Sequence, residues 1–174
     1  SALANQGTRV APQFITRITD SDGNLVTEPT SHRAQVLSPE TAYLMTNILQ
    51  GVILRGTGRR ARDLGRPAAG KTGTTNDVND AWFIGYTPQL LAGVWVGFDE
   101  KRTLGRKETG GRVAAPIWKE FMEEALADEP ILDFQVPDGV RCVFINPKTG
   151  RRVPPIARNA FLECFRQGTE PSLT

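Results

Sequence analysis

Residues 69–98 read AGKTGTTNDVNDAWFIGYTPQLLAGVWVGF. The run divides into three strand-sized pieces, Ala69 to Thr75, Ala81 to Tyr86 and Leu90 to Phe98. Only NDVND and Thr87-Pro88-Gln89 separate them. Parallel strands need a crossover of a dozen or more residues, so connections this short force an antiparallel meander. The apolar runs AWFIGY and LLAGVWV lack clean alternation, which predicts that both sheet faces are covered. Gly85, Gly93 and Gly97 are expected to let a helix approach the sheet closely.

This meander decides how the preceding GRPAAGKT is read. Gly65, Gly70, Lys71 and Thr72 fit the phosphate-loop pattern G-x-x-x-x-G-K-[ST]. That loop works only between a buried strand and a helix whose first amides hold the phosphates. Here RRARDLGRP precedes it and is too charged for a buried strand. TGTTNDVND follows and is built of poor helix formers. The match is therefore a coincidence, and Gly70-Lys71-Thr72 opens a strand.

Around the meander the pattern predicts helices. Ser38 caps and Pro39 starts a helix over about 39–54, with Ala42, Met45, Ile48, Leu49, Val52 and Ile53 on its apolar face. APIWKEFMEEAL predicts a second over about 115–127, with Ile117, Trp118, Phe121, Met122, Ala125 and Leu126 as a core stripe. An Asp22-Gly23 turn predicts a hairpin over 14–26. Residues 130–174 carry a strand-like VRCVFI and an aromatic AFLECF among several prolines. The fold class is α+β, with the meander and its helices inside residues 1–129 and a proline-broken tail over 130–174.

Several function classes are excluded early. A net charge of +2 gives no case for nucleic acid. RGTGRRARDLGR is interrupted by Asp63 and lacks interleaved aromatics, so it reads as a solvated loop rimming a cleft. No apolar run approaches a membrane span. His32 is the single histidine, which leaves no histidine dyad or metal cluster. Cys142 and Cys164 fit either one disulfide or two buried thiols, and their spacing does not decide.

On a strand, Gly73 leaves room for a peptide alongside, which could add as an extra strand. The hydroxyls of Thr72 and Thr74 could then grip a terminal carboxylate, with Lys71 supplying positive charge. A backbone amide after the glycine could stabilise an oxyanion. K-T-G is one of three motifs of serine acyl-transferases that react with penicillin. KTGTTND, DAWFIGYTP, LAGVWVGFD and GGRVAAPIWKEFM, in this order, resemble the transpeptidase domain of class A penicillin-binding proteins. FQVPDGV, INPKTG and FRQGTEP resemble the C-terminal extension of that family.

The resemblance implies a partial β-lactamase/transpeptidase-like fold and a serine enzyme that cross-links peptidoglycan. Its substrate would be a D-Ala-D-Ala stem peptide, and β-lactams would acylate the same serine. Lys71 would serve the proton transfers. Thr72, Gly73, Thr74 and Thr75 would bind substrate, and the Thr74 amide would be one oxyanion donor. No metal or organic cofactor is implied. The expected location is the bacterial inner membrane, facing the periplasm or extracytoplasmic side through an N-terminal anchor outside these residues.

The first two motifs are missing. Ser1, Ser21, Ser31 and Ser38 begin SALA, SDGN, SHRA and SPET, and none is S-x-x-K. S-x-N is absent too. With the abrupt SALANQG opening, this is expected of a C-terminal piece of a longer enzyme, inactive alone and prone, through its uncovered surfaces, to self-associate or to stay bound to the missing N-terminal half of the domain. The competing reading is a non-catalytic module that binds cell-wall peptide or a partner protein. Lys148-Thr149-Gly150 repeats the triplet, but Asn146-Pro147 before it predicts a turn without catalysis.

Overall fold

The computed structural model describes residues 1–173. At its centre are β5 (Ala69–Thr74), β6 (Ala81–Tyr86) and β7 (Leu91–Val96), in that spatial order and antiparallel. Lys71 stands opposite Ile84, Gly73 opposite Trp82, and Trp82 opposite Trp95. Before the meander lie β1 (Thr8–Val10), β2 (Ile18–Thr19), β3 (Leu25–Thr27), β4 (Arg33–Gln35) and helix α1 (Pro39–Leu54). After it come α2 (Ala114–Ala125), β8 (Val140–Ile145) and β9 (Phe161–Arg166).

β6 has the expected bounds, while β5 ends one residue early and β7 runs from Leu91 to Val96 instead of Leu90 to Phe98. Thr75 leaves β5 because its Oγ1 accepts the amides of Asn79 and Asp80, closing the NDVND turn. Leu90 falls in the second turn, where its carbonyl accepts the Thr87 amide. α1 begins as expected, with the Ser38 hydroxyl accepting the Thr41 amide and Pro39 in the first turn. The predicted hairpin forms from β2 and β3, with the Asp20 carboxylate accepting the amides of Asp22 and Asn24. Phe14 and Ile15 lie outside it and are exposed. The β1–β4 pairing has no counterpart in the sequence reading.

The core lies between the sheet and α2. Phe83 and Trp118, both fully buried, meet edge to face at 5.1 Å, with Ile53, Leu64, Met122 and Leu126 in the same cluster. Trp118 Nε1 donates to the carbonyls of Gly85 and Ala92, so the indole is satisfied while buried. A Cβ at Gly85 would sit 2.7 Å from the Trp118 ring. Close helix packing thus explains Gly85, but not its neighbours. Gly93 meets the Ile84 side chain and Gly97 the Trp95 ring.

The expectation that both sheet faces are covered does not hold among the described residues. Burial alternates along β7 and along β6 as far as Ile84: Phe83, Val94 and Val96 turn to α2, while Trp82, Ile84, Leu91 and Trp95 turn outward and are 41–48% exposed. Only at the end of β6 does Tyr86 become buried, its hydroxyl bonded to Thr46 of α1. The uninterrupted apolar runs supply side chains for both faces, and α2 packs on one of them. The helical stripes are also wider than their contacts. Ile48 on α1 and Ile117 and Phe121 on α2 are about half exposed.

Cys142 and Cys164 are cross-strand partners of the β8–β9 hairpin and form a disulfide. The second K-T-G lies in the turn after β8. The Asn146 carbonyl accepts the amides of Thr149 and Gly150, and Gly150 has φ +68°. Arg55 at the end of α1 stacks over Phe161 at 4.5 Å, tying the hairpin to the helix that flanks β5.

Candidate active site

β5 is an edge strand, and its alternation sorts the motif. Thr72 and Thr74 share the side of Phe83 and α2. Lys71 and Gly73 share the open side with Trp82 and Ile84. The Thr75 amide bonds inward to the Asp80 carbonyl. Backbone amides alternate along a strand. The amides of Thr74 and Thr72 therefore point to the unpaired edge, where an added strand would lie. Lys71 is exposed, and its Nζ donates to the Thr72 carbonyl at 2.7 Å.

Two loops meet the other side of the motif. Thr57, just after α1, places its Oγ1 2.7 Å from Thr72 Oγ1. Thr74 Oγ1 accepts the Gly110 amide at 3.1 Å. Arg60 donates to the Arg112 carbonyl and joins the two loops. The approach is close because Gly110 and Gly111 have no side chains. A Cβ at Gly110 would lie 2.1 Å from the Trp82 carbonyl oxygen and 2.5 Å from that of Gly73. One at Gly111 would lie 2.2 Å from the Thr57 carbonyl oxygen.

The structure thus brings Lys71, Thr72, Gly73 and Thr74 to one strand edge. The Thr75 hydroxyl is already engaged in its turn. Thr57 was missed by sequence reasoning, which read RGTGRRARDLGR as a solvated loop, and Gly110 and Gly111 entered only within GGRVAAPIWKEFM, with no role in the site. The available signal was Thr beside Gly in RGTG and ETGG. Beyond Thr75 the strand opens onto a polar cavity of about 570 Å³ lined by Asn76, Asp77, Asp80, Asp99, Lys101 and Arg102, among others. Asp80 there accepts a hydrogen bond from Trp95 Nε1. Among the described residues no group of three or more His, Cys, Asp or Glu could hold a metal ion.

The phosphate-loop pattern has no matching geometry. Lys71 and Thr72 are inside β5, no helix starts there, and the preceding segment contains a single 3₁₀ turn (Arg59–Ala61).

Comparison with known proteins finds relatives in both sequence and overall fold. The family model described as "Penicillin binding protein transpeptidase domain" matches residues 1–123. The chain is 49% identical to penicillin-binding protein 1A of Pseudomonas aeruginosa over 148 residues, 84% of this chain and 18% of that protein. It is 40% identical to penicillin-binding protein 1A of Aquifex aeolicus across 99% of this chain and 24% of that protein. The crystal structure of penicillin-binding protein 1A from Haemophilus influenzae superposes with TM-score 0.87 at 29% identity, covering 99% of this chain and 31% of that one. An imipenem acyl-enzyme complex of penicillin-binding protein A from M. tuberculosis gives TM-score 0.57 at 27% identity, over 72% of this chain and 29% of that one. The chain therefore spans about a fifth to a quarter of the length of these curated relatives. It belongs to the penicillin-binding protein transpeptidase family.

Proposed function

We propose that this chain supplies the K-T-G strand of a peptidoglycan D,D-transpeptidase. The observation that carries the reading is the edge of β5, where the outward Thr74 amide lies between the Lys71 and Thr72–Thr74 sides. A D-Ala-D-Ala stem peptide or a β-lactam would lie along this edge as an added strand. Its carboxylate would meet the hydroxyls of Thr72 and Thr74, with Gly73 and Thr75 lining the same path. The scissile carbonyl oxygen would face the Thr74 amide as the oxyanion forms.

In this reading a serine attacks the carbonyl, and its proton passes through a network including Lys71 to the departing D-Ala amine. The acyl group then moves to an acceptor amine. The serine lies outside these 174 residues, since no S-x-x-K occurs among them. Residues 1–129 are assigned to the transpeptidase domain and 130–174 to its C-terminal extension. No helix among the described residues is long and apolar enough to cross a membrane, so membrane anchorage is assigned to another part of the protein. The Cys142–Cys164 disulfide favours an oxidising, extracytoplasmic location.

Fluorescent penicillin followed by intact mass tests the assignment. The 174-residue chain is expected to stay unmodified, while the longer protein bearing S-x-x-K gains one adduct. An adduct on the short chain would overturn the account of the nucleophile.

The same short chain is expected to self-associate. The Trp82–Ile84–Leu91–Trp95 face is open, and neither β5 nor β7 has an outer partner among the described residues. Light scattering checks this, and a monodisperse 19.1 kDa species would refute it.

A further inference from the structure

We infer that Thr57 is a positioning residue of this site, acting through Thr72 to set which ligands it accepts. The inference rests on the reading that Thr72 meets the substrate carboxylate.

A carboxylate only accepts hydrogen bonds, so a threonine bound to it must give up its single proton. The 2.7 Å contact between Thr57 Oγ1 and Thr72 Oγ1 still needs a proton between the two oxygens. With the Thr72 proton on the ligand, that proton comes from Thr57. Thr57 therefore donates to Thr72, and Thr72 donates to the carboxylate. Thr74 is arranged in the same way, because its Oγ1 accepts the Gly110 amide and leaves its own proton free to donate.

Both hydroxyls of the motif thus receive a hydrogen bond from behind, which aims and polarises them as donors. Thr57 is held for this task by its loop. Gly111 packs directly on its carbonyl, and Arg60 ties the loop to Arg112. Valine at position 57 would keep the shape and remove the donor. It would leave Thr72 free to rotate, and the carboxylate would lose a directed partner. A ligand without a negative carboxylate would not feel the change.

The test uses the full-length protein carrying the nucleophilic serine, and measures acylation by benzylpenicillin and by its methyl ester. Thr57→Val is expected to slow benzylpenicillin acylation about tenfold while changing the ester little, the upper end of the loss expected of one hydrogen bond between uncharged groups. Thr57→Ser is expected to restore the parent ratio. An equal loss with both compounds, or no loss with either, overturns the inference. Thr72→Val separates the role of Thr57 from that of Thr72. If it collapses the ratio while Thr57→Val does not, the role of Thr57 falls alone. If it leaves the ratio unchanged, the carboxylate reading of Thr72 falls, and the role of Thr57 with it.

Discussion

Lys71→Met in the full-length protein is expected to slow acylation by penicillin about 10²–10⁴-fold, the usual loss when a positioned proton-transfer group is removed. Methionine keeps the length and the apolar stem of lysine and removes charge and protons together. The side chain is exposed on the open face of the sheet, with Gly73 two residues along the same face and Ile84 across the strand. The fold therefore asks little of the ammonium, and the loss should fall on the chemistry. Lys71→Arg separates the two roles of the residue. Arginine retains the positive charge but does not deprotonate, so it cannot relay a proton. It is expected to recover ligand binding and leave the acylation step slow. Stopped-flow acylation with a chromogenic β-lactam measures both terms. Full activity in either variant would remove Lys71 from the proton network.

The meander was legible because turn spacing alone forbids a crossover helix, and the structure places all three strands in the expected order. The start of α1 was legible for a similar reason, since Ser38 and Pro39 act within four residues of sequence. The misread features depend on what lies across space. Thr75 looks like a strand residue until its hydroxyl is seen to close the next turn. An apolar run such as AWFIGY reports that both faces are apolar, and says nothing of which one α2 occupies. The Cys142–Cys164 pair required the register of β8 on β9, which spacing does not supply.

The candidate site divides the same way. Lys71, Thr72, Gly73 and Thr74 could be named because one strand carries them. Thr57 and Gly110 reach that strand from 15 and 36 residues away, through contacts made by the fold. Two glycine-bearing polar loops are individually unremarkable in sequence. Their meaning comes from converging on the same pair of hydroxyls.

Gly110→Ala should expose this dependence. At Gly65, φ is +77° and nothing lies within 4 Å of an added Cβ, so the glycine there serves backbone conformation. At Gly110 the constraint is space, and the obstacles are the backbone carbonyl oxygens of Trp82 and Gly73 at 2.1 and 2.5 Å. A flexible side chain could rotate away, whereas these oxygens belong to the β5–β6 ladder itself. The loop must retreat, and retreat breaks the Gly110–Thr74 hydrogen bond and loosens the residues that start α2. Overpacking of this kind costs about 1–3 kcal/mol, and an immovable backbone favours the upper end. Gly65→Ala should cost about 1 kcal/mol, from the left-handed conformation alone. Thermal unfolding of the two variants compares these costs, and penicillin acylation reports the site. Gly110→Ala is expected to lose both stability and acylation, with Gly65→Ala keeping acylation near the parent rate. Equal behaviour of the two variants would mean that the Gly110 loop yields freely and does not hold the motif.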